Sequence, residues 1–180
     1  PDIILVGKIR DAETAKTAVN IVLTGHLVLS SIHSNDAASA VVRLLDLGVE
    51  PFLAASAVIG SLAQRLVRKV CPQCGTPTEP TATEAIAYEQ EMQQPVPEFR
   101  EGQGCNFCSS SGFVGRTGVF GVMAIDESVR RQIAQGANGP EIRSQALSNG
   151  MVPMRRAGMM LAEQGVTTLC EVFRGVFFLD

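Results

Sequence analysis

The sequence predicts an α/β fold: a parallel sheet covered by helices, joined to a module held by cysteines, with a small helical subdomain at the end. Three observations carry this. Apolar Ile3-Ile4-Leu5-Val6, an amphipathic stretch from Ala12 to Leu23, and apolar Leu27 to Ile32 follow within about 30 residues, the βαβ order that requires parallel pairing. Cys71-Pro72-Gln73-Cys74 and Cys105-Asn106-Phe107-Cys108 are two C-x-x-C pairs separated by 30 residues. Beyond Ile125 the apolar residues recur at helical spacing.

Taken in order, the first strand is 3–6 and reads as fully apolar and buried. Asp11 is placed to cap the helix that follows, whose stripe is Ala15, Ala18, Val19 and Val22; Thr24-Gly25 ends it, and 27–32 is the second strand. A helix through Ala38, Val41, Val42 and Leu45 starts near Ser34-Asn35-Asp36 and stops at Gly48. Pro51 opens another, with Ala55, Val58, Ile59, Leu62 and Leu66 as its buried stripe and Arg65, Arg68 and Lys69 at its C-terminal end, where cations suit the dipole.

Composition shifts at Cys71. Residues 75–104 are polar and Pro-rich, with a weak helix around 82–92, and Val119 to Ile125 reads as a strand. Helices are expected over 127–135, 140–148 and 153–164, with a last one opened by a Thr168/Glu171 capping box. The divisions this suggests are 1–70, 71–118 and 119–180.

Two residues between thiolates let both sulfurs turn toward one ion, and two such knuckles complete a tetrahedral Cys₄ site. Cys71, Cys74, Cys105 and Cys108 are therefore expected to hold a structural zinc ion, since four thiolates leave no open position. Disulfides and a redox dithiol are the competing readings; nothing suggests an exported chain, and neither pair sits in a thioredoxin-like βαβ unit. Cys170, in an apolar helical stretch, is expected as a small buried hydrophobe.

With 180 residues, 46% apolar and 18% charged, the chain suits one domain or two small ones and is not extended disorder. A net charge of −3 gives no electrostatic case for broad nucleic-acid binding, so no nucleic-acid partner is expected. No apolar run approaches the roughly 18 residues of a membrane span. Asp2, Lys8, Arg10 and Asp11 interrupt what would be a signal peptide, so a cytoplasmic location is expected. The chain starts on a strand without an initiator Met, and reads as a piece of something longer.

No G-x-x-x-x-G-K-[ST] phosphate loop is present. Other motifs go further. Asp2-Ile3-Ile4-Leu5-Val6-Gly7-Lys8-Ile9-Arg10-Asp11 resembles the Walker B segment of the type II secretion and type IV pilus assembly ATPases, and Gly25-His26-Leu27 through Ile32-His33-Ser34-Asn35 resembles their histidine box. Leu62-Ala63-Gln64-Arg65-Leu66-Val67-Arg68 before Cys71 is similar to that family's approach to its tetracysteine module. Gly104-Cys105 through Gly112-Phe113 and Gly115-Arg116-Thr117-Gly118 is similar to the return from it, and Pro153-Met154-Arg155 through Gly165-Val166-Thr167-Thr168-Leu169 to the family's C-terminal pattern.

The resemblance implies the C-terminal portion of a RecA-like P-loop NTPase core, with the phosphate loop upstream of Pro1. It implies a homo-hexamer that hydrolyses ATP with Mg²⁺ to drive secretion or pilus assembly, located peripherally at the inner membrane through platform proteins. Within this chain it implies Lys8, Arg10 and His33 as catalytic positions and Gly7, Gln64 and Arg65 as nucleotide-binding ones. His26 would lie just before the strand, in a structural role. Position 8 departs from the family, which has Glu there. Lys stays protonated and can neither orient water nor hold Mg²⁺, so poor hydrolysis is expected, and the fragment alone should be inactive. The alternative is a zinc-stabilised interaction module or a degenerate motor subunit without enzymatic activity.

Overall fold

The structure is a computed structural model that describes residues 1–176. In chain order its elements are β1 (Ile3–Leu5), α1 (Ala12–Leu23), β2 (Leu27–Leu29), α2 (Ala37–Asp46), α3 (Pro51–Ala57), β3 (Gly60–Val70) and β4 (Gly75–Thr78). There follow α4 (Ala82–Met92), β5 (Phe99–Gly102), β6 (Phe113–Ala124), α5 (Glu127–Ala134), α6 (Gly139–Ser148), α7 (Met154–Glu163) and α8 (Leu169–Val176). They form two compact units: residues 1–63 with 122–151, and residues 64–121 with those from 152 onward. Strands β3 and β6 pair with each other, and each passes from one unit into the other.

In the first unit β1 and β2 pair in parallel, Ile3 with Leu27 and Leu5 with Leu29, and a parallel bridge joins Ile9 to Ile32. The crossover helix α1 starts as the sequence requires: the Asp11 carboxylate accepts the Thr14 N–H at 2.8 Å. Ala15, Ala18 and Val19 form its buried face. The strands are shorter than expected and not buried on both faces. Ile3, Leu5, Leu27 and Leu29 stand 41–79% exposed on one face of the pair, while Ile4 and Val28 on the other are half-buried. Helices α2, α3, α5 and α6 pack around Val41, Ala54, Val129, Ile133 and Ile142, none more than 1% exposed. Asp36, Asp126 and Asn138 cap α2, α5 and α6.

The helix expected through Leu66 ends instead at Ala57. β-branched Val58 and Ile59 followed by Gly60 stop it, and the chain runs on as β3. Leu62 and Leu66, assigned to a buried stripe, are 59% and 57% exposed; Ala63 and Val67 are the buried positions. The basic residues 65, 68 and 69 thus lie on a strand and not at the C-terminal end of a helix.

In the second unit the polar excursion is more ordered than its composition suggests. Strands β4 and β5 pair antiparallel, Gly75 with Gly102 and Thr78 with Phe99, around α4, whose Thr81/Glu84 capping box forms in full. The core is Val67, Tyr88, Phe99, Val119, Met159 and Val172. Tyr88 meets Phe99 edge-on, centroids 5.3 Å apart, and its hydroxyl donates to Glu163. Strand β6 starts at Phe113, six residues before the sequence expectation of Val119.

The Thr168 capping box is half formed. Thr168 Oγ1 accepts the Glu171 N–H at 3.1 Å, but the Glu171 carboxylate is taken by Arg68. Cys170 is exposed rather than buried, because α8 turns Leu169, Val172 and Val176 into the core and position 170 away from it.

Candidate metal centre and the carboxyl ends of the parallel strands

The four knuckle cysteines meet at one point in the second unit. Cys71 Sγ lies 3.9 Å from Cys105 Sγ, Cys74 Sγ 3.8 Å from Cys108 Sγ, and Cys105 Sγ 3.7 Å from Cys108 Sγ. All four sulfurs are within 4.8 Å of one another. A tetrahedral metal–thiolate site with bonds of about 2.3 Å has sulfur–sulfur edges near 3.8 Å, whereas a disulfide brings sulfurs to about 2.05 Å. These are therefore free thiols arranged to hold a metal ion.

Local backbone chemistry builds this arrangement. The Gly75 N–H closes the first knuckle on the Cys71 carbonyl at 2.9 Å, and the Ser110 N–H closes the second on Cys105 at 2.9 Å. Ser109 and Ser110 both take left-handed backbone, φ 52° and 61°. The knuckles are then tied together: the Cys71 N–H donates to the Gly112 carbonyl at 2.9 Å, and the Gln103 N–H to the Cys74 carbonyl at 3.0 Å. Gly102 and Gly112 touch backbone to backbone, so that a Cβ on Gly102 would lie 2.0 Å from the Gly112 oxygen.

Two sulfurs differ in acidity when no ion is bound. Burial raises the Cys108 thiol, but the N–H groups of Cys105 and Gly112, at 3.2 and 3.3 Å, outweigh it and hold the thiol at about 6. Burial pushes Cys74 up to about 12, only partly relieved by a backbone hydrogen bond from Gly104.

The other candidate residues divide between the units. The Walker-B-like segment and the histidine box come together in the first, at the carboxyl ends of β1 and β2, where α/β sheets bind ligands. The Ser30 hydroxyl donates to the Gly7 carbonyl at 2.8 Å, and the Ile9 N–H to the Ser31 carbonyl at 2.9 Å. Lys8, Arg10 and His33 are exposed on these two joined segments. Gln64 and Arg65 lie on β3 in the second unit, with the Arg65 guanidinium donating to the Gln64 carbonyl at 3.2 Å. His26 sits at the opposite end of β2, its Nδ1 3.1 Å from Thr24 Oγ1 at the end of α1.

Lysine and arginine at strand ends suit a phosphate. The carboxylates nearby do not suit a magnesium ion: Asp11 caps α1, and Asp36 caps α2 while pairing with Arg143. A cavity of about 770 Å³ in the same unit is lined by Val19, Val22, Leu27, Leu29, Leu44 and Leu62 among others. It carries no charged side chain and is not a phosphate site. Arg143, 107 residues from Asp36, gave no sign of itself in the sequence.

The fold is shared with DotB of Yersinia pseudotuberculosis, an ATPase solved by X-ray crystallography, which superposes with a TM-score of 0.66 at 16% identity, over 100% of this chain and 38% of that one. Residues 1–174 match the family described as type II/IV secretion system protein, and the chain belongs to that family. The type IV pilus assembly ATPase TfpB of Acinetobacter baylyi is 43% identical over 98% of this chain and 30% of its own length. The type II secretion system protein HxcR of Pseudomonas aeruginosa is 44% identical over 97% of this chain and 33% of its own. The chain thus spans about a third of the relatives it matches. Among the described residues no helix is long and apolar enough to cross a membrane.

Proposed function

We propose that the chain is the C-terminal part of a hexameric ATPase that powers type II secretion or type IV pilus assembly. Residues 1–70 supply the Walker B and histidine-box side of the ATP site, 71–118 form a zinc module, and 119–180 complete the chain with a strand and helices. The phosphate loop lies in sequence outside this chain. The observation that carries the reading is the family match over residues 1–174 together with better than 40% identity to named pilus and secretion proteins.

In this reading Gly7, Lys8, Arg10 and His33 face the nucleotide from the carboxyl ends of β1 and β2, and Gln64 and Arg65 are nucleotide-binding positions by resemblance to the family alone. Bound ATP would supply the phosphoanhydride bond. Lys8 and Arg10 would offset phosphate charge, and Lys8 would not activate water, being a cation where the family places a carboxylate. The whole motor works as a homo-hexamer against inner-membrane platform proteins from the cytoplasmic side. The metal is zinc, held by Cys71, Cys74, Cys105 and Cys108; the all-thiolate donor set supports this choice. Its role is structural.

Lys8 itself favours a second reading, a subunit that has kept the fold and the zinc module as an interaction surface and lost hydrolysis. ATP binding and turnover of the whole protein, measured beside metal content, separate the two. Binding with turnover fits the motor, binding without turnover the degenerate subunit, and no binding the interaction module.

A further inference from the structure

We infer that Arg143 is a positioning residue for the His33 loop, acting through Asp36. The inference rests on the reading of that loop as part of a nucleotide site and names a group that reading did not contain.

The loop runs from the end of β2 to the start of α2 and is fastened at both ends. Upstream, Ser30 holds the Gly7 carbonyl and Ile32 bridges to Ile9, fixing the loop to the segment that carries Lys8. Downstream, Asp36 does two jobs with its two oxygens. Oδ1 accepts the Ser39 N–H at 2.6 Å and starts α2, while Oδ2 takes the Arg143 guanidinium. The Ser34 hydroxyl also donates to the Asp36 carbonyl at 3.1 Å. His33 therefore hangs between a backbone bridge and an ion pair.

Asp36 could cap α2 without Arg143, because capping uses only one oxygen. The pair adds a second, charge-assisted tether at the oxygen the cap leaves free. Its anchor is rigid: α6 packs on α2 and α5, with Ile142 fully buried and Ala146 3% exposed on either side of Arg143. Movement of the histidine loop is thereby coupled to α6, which the sequence places more than a hundred residues away.

The chain has two histidines, so imidazole ring resonances give a two-line test. Arg143→Ala and Asp36→Asn are compared with the wild-type chain by ¹H–¹³C correlation; Asn retains the cap but loses the charge. The expected result is a displaced His33 line, an unmoved His26 line, and partial return of His33 in Arg143→Lys. A His33 line unmoved in both variants overturns the inference, and so does equal displacement of both histidines, which marks general loosening. Fluorescent ATP (mant-ATP) binding to the full-length protein is the second arm, with a roughly tenfold loss of affinity expected for Arg143→Ala. Unchanged affinity in a protein that does bind ATP overturns the role at the nucleotide site. A whole protein that binds no ATP sinks the ATPase reading instead, and the ring shift then decides the loop placement alone.

Discussion

Arg68 grips Glu171 twice across 103 residues: its backbone N–H donates to Oε2 at 3.0 Å, and its guanidinium to Oε1 at 2.6 Å. Arg174 adds a contact at 2.9 Å, and the Phe113 ring lies 4.0 Å from the Arg68 guanidinium carbon. Glu171 is 3% exposed, so its charge is tolerated only because these donors meet it. Burial pushes its carboxyl up, and the Arg68 hydrogen bonds with the two guanidinium charges bring it below the ordinary value of 4.5.

Because the folded value is depressed, the stability this pair supplies is present above pH 4.5 and is lost as pH falls through the lower folded value. Glu171→Gln should lower stability at pH 7 by about 1–3 kcal/mol, the range for a partly exposed partner. It should also flatten the fall of Tm on acidification. Calorimetry of both chains from neutral pH to pH 3 checks this; parallel curves would count against the pair.

The tetracysteine site should bind one zinc ion per chain, and Cys71→Ser or Cys105→Ser should abolish stoichiometric binding. Chelation should expose 71–118 to protease before it affects the βαβ part. Affinity should fall as pH is lowered, because every ligand must lose its proton, and without metal burial holds the Cys74 thiol up at about 12. Metal analysis and limited proteolysis read these outcomes. Unchanged protease resistance after chelation would reject the assignment.

Tyr88 is the sole tyrosine in a chain without tryptophan, so tyrosinate absorbance reports on the second unit alone. Burial, then the Glu163 carboxylate, raise its ionisation above 10. A raised value of this kind leaves stability intact below pH 10 and removes it as pH climbs through the folded value. Tyrosinate should therefore appear above pH 10. Tyr88→Phe should cost about 1–2 kcal/mol, since Glu163 loses a donor while Gln94, at 2.5 Å, remains.

Lys8→Glu in the full-length protein should raise ATP turnover by about tenfold or more, the scale of restoring a positioned carboxylate. Steady-state phosphate release is the measurement. Equal rates in the two proteins would remove position 8 from the account of catalysis.

The fold class was legible because its signals are local. Asp11 and Asp36 stand at the starts of expected helices and cap them, and two C-x-x-C pairs announce a shared ligand. Strand β3 was misread because its spacing is ambiguous. Leu62 and Leu66 are four apart, as are Ala63 and Val67, and four is a full turn of helix and also two periods of strand. The discriminating signal was Val58-Ile59-Gly60, a poor helix sequence just before it. The Asp36–Arg143 and Arg68–Glu171 pairs had no signal at all, because only the folded chain brings residues 107 and 103 apart into contact.

The way the two units share the chain has a practical result for anyone dissecting the protein. A stop codon early enough to delete the cysteine knuckles also deletes residues 122–151, and with them α5, α6 and the arginine that holds Asp36. An N-terminal deletion that keeps the knuckles but starts after Ala63 discards the βαβ part entirely. Neither truncation leaves both segments of the first unit in place. Only an internal excision between β3 and β6, closed by a short linker, removes the cysteine knuckles and keeps residues 1–63 together with 122–151.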